Sequence, residues 1–188
     1  MNKDEIIKII KEKDYNGKII LEDIPEIDLY MDQVIQLFES KLSQAKRNEE
    51  DKVLTKTMIN NYAKAKLLMS VKNKKYSKEH LILMSLIYEL KGGLSISDIK
   101  LLLNNIVEKF ENGEEYDLRT LYNKYLEITK DDSIFIKKNI LDKINSIEEE
   151  SYEEIFLLVT TMISMSNMYR KISEELIDRF FQKDKEGK

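Results

Sequence analysis

Thr55-Lys56-Thr57-Met58-Ile59-Asn60-Asn61-Tyr62-Ala63-Lys64-Ala65-Lys66-Leu67-Leu68 is the stretch whose reading decides the fold. Met58, Ile59, Tyr62 and Leu67 recur at spacings that bring apolar side chains to one helical face. Thr55 is a residue type that caps a helix by accepting a backbone amide. The spacing predicts a helix over 55–67. Its remaining positions, Thr57, Asn60, Asn61 and Lys64, are polar types that reach base edges or phosphates.

Working outward, Ile27, Tyr30, Met31, Val34, Ile35, Phe38 and Leu42 mark a preceding helix, with Pro25 expected in its first turn. Residues 43–52 are polar and read as a loop. On the other side, residues 70–76 form a polar loop long enough for a small hairpin. Ser77 is placed to cap a helix carrying Leu81, Met84, Ile87, Tyr88 and Leu90, with Gly92-Gly93 as its stop. Ser95 or Ser97 opens another helix with Ile99, Leu102, Leu103, Ile106 and Phe110 on one face, closed by Asn112-Gly113. A supporting helix, a polar-faced second helix and a wing-like loop make the layout of a helix-turn-helix. The connection between the two helices is longer than the usual turn of roughly three or four residues.

Charge follows the same layout. Residues 52–78 contain Lys52, Lys56, Lys64, Lys66, Lys72, Lys74, Lys75 and Lys78 and no Asp or Glu; against an overall charge of −4, the rest of the chain carries −12. A basic island in an acidic protein is the footprint of an anion-binding surface. A merely solvated Lys-rich face is the competing reading. The island holds no Arg, so guanine readout by an Arg fork is missing, whereas Asn60 or Asn61 can pair with adenine. Tyr62 and Tyr76 suit either the core or, through their hydroxyls, a phosphate contact.

Five Gly and one Pro among 188 residues are too few for a sandwich or barrel. There is no Cys, hence no disulfide and no thiolate metal site. The N-terminus is charged through Asp14 and has no apolar core of signal-peptide length. The longest uncharged stretch, Ile155 to Tyr169, is short for a membrane span. A cytoplasmic protein without membrane contact is the expectation. The second half predicts helices over about 117–129, 132–147 and 151–182, the last opened by a Ser151/Glu154 capping box. That last helix is apolar on more than one side, which suits a core plus a dimer contact, or else a ligand pocket.

Other chemistry is thin. His80 has no Cys or second His nearby and reads as a surface or capping residue. Glu148, Glu149, Glu150, Glu153 and Glu154 suit a helix N-terminus better than a hydrolytic pair or cation site. Gly92-Gly93 lacks the Lys-Ser/Thr and the preceding strand of a phosphate loop.

Two family resemblances follow from these residues. Met58 to Leu68 resembles the recognition-helix segment of MerR-type regulators, which read Thr-Leu-Arg-Tyr-Tyr and then Gly-Leu-Leu. Lys74-Lys75-Tyr76-Ser77 falls where that family has a Tyr-Arg-x-Tyr-Ser wing. Gly93-Leu94-Ser95-Ile96-Ser97-Asp98-Ile99-Lys100 resembles its Gly-Phe-Ser-Leu-x-Glu-Ile-Lys. Asn60 stands where Arg is common, and Lys66 where Gly precedes Leu-Leu. Leu29-Tyr30-Met31-Asp32-Gln33-Val34 with Thr55 to Tyr62 is similar to the YkrK-like bacterial family, a domain of unknown function, over roughly residues 20–110. The resemblance implies a regulator-like module.

Together these readings predict an all-α protein: a helical extension over 1–19, a MerR-like helix-turn-helix with a small wing over 20–112, and a C-terminal helical bundle over 113–188 for dimerisation or effector input. The expected function is a DNA-binding transcription regulator, a homodimer on double-stranded DNA, with a protein-interaction adaptor as the alternative. No enzyme activity, catalytic residue, metal or cofactor is expected, and no effector is specified. The expected DNA-contacting residues are Lys52, Thr55, Lys56, Thr57, Asn60, Asn61, Tyr62, Lys64, Lys66, Lys72, Lys74, Lys75 and Tyr76.

Overall fold

α4 (Lys78–Leu90) is the centre of the fold, and its sequence shows why. Leu81, Ile82, Leu83, Met84 and Ile87 are at most 1% exposed, and Ser85 is buried with its hydroxyl donating to the Leu81 carbonyl. Apolar residues on every side require neighbours on every side. The computed structural model, which describes residues 3–12, 15–147 and 151–182, supplies them. α2 (Met31–Leu42) contributes Val34, Phe38 and Leu42, and α3 (Lys56–Lys64) contributes Ile59 and Tyr62. α5 (Ile96–Glu111) adds Ile99, Leu103, Ile106 and Val107. The start of α6 (Leu118–Asn145) closes the ring with Leu118 and Tyr122.

The chain enters this core through Ile19 and Ile24, which flank a 3-10 turn at Leu21–Asp23. Tyr122 donates its hydroxyl to the Ile19 carbonyl at 2.7 Å, and Lys18 pairs with Glu89 of α4 at 2.6 Å. These contacts tie the first segment to elements far along the chain. Pro25 does not open a helix. It lies in the irregular stretch before β1 (Leu29–Tyr30), and α2 begins only at Met31. Ile27, expected on the apolar stripe, is consequently 71% exposed.

β1 pairs antiparallel with β2 (Lys75–Tyr76), Leu29 opposite Tyr76 and Tyr30 opposite Lys75. β2 belongs to a tight hairpin in which Lys72 bridges Lys75, and Asn73 and Lys74 both have positive φ, 52° and 59°. Two successive positive-φ residues make the turn whose twist matches that of paired strands. The loop expected to hold a small hairpin therefore does so, and the hairpin is fastened to the residues immediately before α2.

Three helix starts follow the capping residues. Thr55 accepts from the Met58 amide at 3.2 Å, Ser95 from Asp98 at 3.2 Å, and Ser151 from Glu154 at 3.2 Å. Of Ser95 and Ser97, Ser95 is the cap, with Asp98 accepting from the Ser95 amide in return. α4 ends at Leu90, before Gly92-Gly93, and neither glycine takes a left-handed conformation.

Among the described residues, the C-terminal region holds two helices where three were expected. The two helices expected over 117–129 and 132–147 are one continuous α6, Leu118–Asn145, since Lys130-Asp131-Asp132-Ser133 contains neither Gly nor Pro to interrupt it. α7 (Tyr152–Phe180) follows. A second, small apolar cluster joins Ile144, Ile147 and Leu158 to Ile6, Ile7 and Ile10 of α1 (Lys3–Glu12). Further along, Ile177 of α7 is buried, and a groove beside it brings Leu176 and Phe181 to Leu94 and Leu102. Among the described residues, no helix is long and apolar enough to cross a membrane.

Candidate nucleic-acid interface

The basic island is assembled from two segments that meet at the start of α2. Asp32, in its first turn, pairs with Lys56 at 2.8 Å. Two residues earlier, Tyr30 carries the Lys75 ammonium 5.1 Å from its ring centroid, a cation–π contact. Thus α3 and the 72–75 hairpin, separated by several loop residues, are anchored side by side by Tyr30 and Asp32. Lys56 is paired, but at an exposed site where such a bond is weak, and Lys75 is half-buried. Lys78 is also committed: it is only 9% exposed and donates to Glu26 at 2.6 Å. Among the described residues, Lys52, Lys64, Lys66, Lys72 and Lys74 make no ion pair, and all five are exposed.

Thr57, Asn60 and Asn61 lie on the exposed side of α3 with Lys64. Thr55 is half-buried and occupied with its capping bond. Tyr62 and Tyr76 have their rings in the core, at 5% and 6% exposure, and burial raises both phenol pKa values. Their positions on the inward phase of α3 and β2 take them away from the surface the lysines occupy.

Lys66 ends α3 in an unusual way. It has φ of +60°, the Leu67 amide returns to the Tyr62 carbonyl, and the Lys66 amide returns to the Ala63 carbonyl. These are the two bonds of a Schellman closure, a position at which Gly is the usual residue. The same closure ends α5, where Gly113 takes it with φ of +73° and Glu114 bonds back to Lys109.

A groove of about 840 Å³ with a mixed lining runs between α3 and α5, with Asn60, Lys66 and Ser70 on one wall, Lys100, Asn104 and Glu111 on the other, and Leu68, Met69 and Val107 in it as well. Glu111 accepts the Ser70 amide, so the groove is not uniformly cationic. Lys100 had no signal in the charge pattern, because it lies outside the island.

Of the two roles expected for His80, surface or capping, the structure shows capping: the residue is buried and serves the start of α4. Its Nδ1 accepts from the Ser77 amide at 3.2 Å, and its Nε2 faces the Met69 carbonyl at 3.3 Å. That network assigns the neutral ring's proton to Nε2. Burial lowers its pKa. Beside it, Arg119 of α6 bridges Glu79 and Glu26, both at 2.9 Å. The bonds from Lys78 and Arg119 hold the Glu26 carboxyl below its ordinary range. Among the described residues no group of three acidic, His or Cys side chains could hold a metal ion. Glu148, Glu149 and Glu150 lie outside the described residues.

A family model described as a domain of unknown function, DUF1836, matches residues 19–125. The chain belongs to the DUF1836 family. No curated protein and no solved structure matches it. The matched span of the DUF1836 domain coincides with the main core, whose first buried member is Ile19 and last is Tyr122, with Tyr125 packed against it. The main core includes the first turns of α6, through Leu118 and Tyr122. The rest of α6, α7 and α1 lie outside the DUF1836 match.

Proposed function

We propose that this protein is a DNA-binding transcription regulator whose DUF1836 domain contacts duplex DNA through the exposed side of α3 and the 72–75 hairpin. In this reading α3 is the recognition helix of a MerR-like helix-turn-helix, α2 its support and the hairpin its wing. The observation that carries it is the group of five exposed lysines without an ion pair among the described residues, Lys52, Lys64, Lys66, Lys72 and Lys74, on adjoining segments of a chain that is otherwise acidic. Phosphate contacts by such side chains release counterions and supply most of the affinity. Thr57, Asn60 and Asn61 are the side chains available for base edges, with A·T pairs opposite the asparagines. The left-handed Lys66 supports the comparison further, since it occupies the turn at which MerR-type sequences carry Gly. A homodimer would supply two half-sites. The alternative, an adaptor that binds protein, draws on the pairing of Lys56 with Asp32 and Lys78 with Glu26.

Fluorescence anisotropy with an A·T-rich duplex at several salt concentrations tests the reading. Affinity is expected to fall steeply with salt. A Lys64→Glu/Lys72→Glu/Lys74→Glu variant that keeps its helical circular dichroism is expected to lose binding. Each phosphate contact removed singly should flatten the log–log slope by about 0.9. Absence of binding at low salt would overturn the reading and leave the adaptor.

A further inference from the structure

The first segment of the chain is fastened to α6 at two places. Lys3 donates to the Asn145 and Ile147 carbonyls at 3.1 and 2.8 Å, and the Asn16 side-chain amide donates to the Thr129 carbonyl at 3.3 Å. α1 therefore runs antiparallel to α6. Between these fastenings it is not packed down: none of its residues is buried, and Ile6 and Ile10 are only half-buried. Both border a cavity of about 440 Å³ between α1, α6 and α7, within the roughly 300–1,000 Å³ of small-molecule sites. An apolar cavity of about 150 Å³ is already enough to hold benzene.

The lining is polarised along α6. Asn16, Ser133 and Lys137 line one end. Thr129, which holds Asn16, is four residues from Ser133, and Ser133 is four from Lys137, so the three stack on one face of the helix. Ile140, next on that face, begins the apolar end, where Ile6, Ile155 and Leu158 come together. Lys137 is half-buried and, among the described residues, in no ion pair. The residues one turn from it on α6, Ser133, Ile134, Ile140 and Leu141, include no acid. A cation held partly out of water beside apolar walls is stabilised by an anion brought to it.

We propose that this cavity binds an aliphatic carboxylate of medium chain length, its carboxylate on the Lys137 ammonium and its chain among Ile6, Ile140, Ile155 and Leu158. One cation and the neighbouring Ser133 hydroxyl match a head with a single negative charge and several lone pairs. The apolar end offers no partner for a second polar group, which excludes a ligand that is polar at both ends. From Ser133 to Ile140 the helix rises about 10 Å, the reach of a medium chain rather than of a membrane lipid. Such a ligand touches α1, α6 and α7 together, so binding holds α1 in place.

The inference lies outside the surface assigned to DNA and is tested without DNA, so either can fail alone. The test is isothermal titration calorimetry of the full chain with decanoate, decanol and decylammonium, each below the concentration at which it self-associates. One decanoate per chain is expected, bound at least about tenfold more tightly than decanol through its charge-assisted bond, with decylammonium weaker than both. Lys137→Gln should remove the advantage of decanoate and leave decanol unchanged, which a merely structural lysine would not do. Ile10→Trp fills the cavity from α1, outside the main core, and should abolish binding of both. If that variant loses its helical circular dichroism, hydrogen exchange of the wild type decides instead: decanoate is expected to slow exchange in α1 and in residues 133–140, and no slowing there overturns the proposal. Equal affinity for the three probes, or an advantage of decanoate that survives Lys137→Gln, overturns it. Uptake of many decanoates per chain overturns it in favour of adsorption on the exposed apolar side chains of α7. So does binding of none.

Discussion

α4 and the 155–169 part of α7 both carry apolar side chains around most of their circumference, and the fold treats them oppositely. α4 has eight buried residues in thirteen, α7 two in twenty-nine. Part of the difference is composition, since α7 is charged at both ends, with Glu153 and Glu154 at its start and Arg170, Lys171, Glu174, Glu175, Asp178 and Arg179 beyond Tyr169; the rest is position. α4 is surrounded by elements before and after it in the chain, α2, α3, α5 and the first turns of α6. α7 follows all of them and meets a completed core with only its far end, near Ile177. A core of finite size takes one all-round apolar helix at its centre. The second is left with neighbours on one side, and much of its other apolar surface is exposed.

The largest expected effect separates the two helices directly. Ile82→Ala in α4 removes a fully buried side chain and should cost about 2–5 kcal/mol, from lost transfer energy and the cavity left behind. Ile163→Ala in α7 should change the stability of the monomer by less than about 0.5 kcal/mol, as surface substitutions do. Urea unfolding of both variants makes the measurement. Equal costs would break the comparison.

The same contrast exists within α6, which begins inside the core and ends outside it. Tyr122→Phe strips a buried hydroxyl from the Ile19 carbonyl and should cost roughly 1–3 kcal/mol. Phe135→Ala, further along the same helix, removes a larger side chain that is mostly in water and should cost less. Thermal unfolding of the pair places the edge of the cooperative unit.

What the sequence made legible follows from which interactions are local. Helical spacing identified the inward residues of α2, α3 and α5, and capping chemistry located Thr55, Ser95 and Ser151, because both act within about one turn. The break expected near residue 130 has a local cause too: charged and polar residues at 130–133 resemble a linker, but nothing there forbids helix. Pairings between distant residues were not legible. Asp32 with Lys56, Glu26 with Lys78, and Leu29 opposite Tyr76 depend on how the elements meet, and strands of two residues carry no periodicity. Hence the thirteen proposed contacts divide as they do. The lysines could be located by charge alone, but the phase that buries Tyr62 and Tyr76, and the partner that occupies Lys56, required the fold.

His80 offers a pH probe confined to the core side of the comparison. Burial lowers its folded pKa below the ordinary value of 6.5, so on acidification the unfolded chain takes up the proton first. The stability tied to the neutral ring is fully present above about pH 6.5 and is lost as the pH falls below it towards the folded pKa. Between pH 7.5 and 5.5 the wild type should lose stability in urea. His80→Gln, which can still accept from the Ser77 amide, should be nearly flat over that range. An equally steep loss in His80→Gln would assign the effect to another group, and the carboxylates with lowered values, Glu26, Glu79 and Asp117, act only at lower pH.

The smallest expected effect is a gain. Lys66 and Gly113 close α3 and α5 with the same pair of bonds and the same left-handed backbone, one with a side chain and one without. A non-glycine residue in that conformation costs roughly 1–2 kcal/mol, and the greater freedom of Gly in the unfolded chain offsets part of what substitution recovers. Lys66 is exposed, so its side chain gives up little packing. Lys66→Gly should therefore stabilise the protein by about 0.5–1 kcal/mol, and Gly113→Lys should destabilise it by a similar amount. The same variant also removes one of the five exposed charges, which makes it informative twice. A more stable protein with a DNA salt slope flatter by about 0.9 would mean that the strained conformation is kept for a phosphate contact. A more stable protein with an unchanged slope would mean that the lysine serves neither stability nor binding, and Lys64, Lys72 and Lys74 would carry the contact.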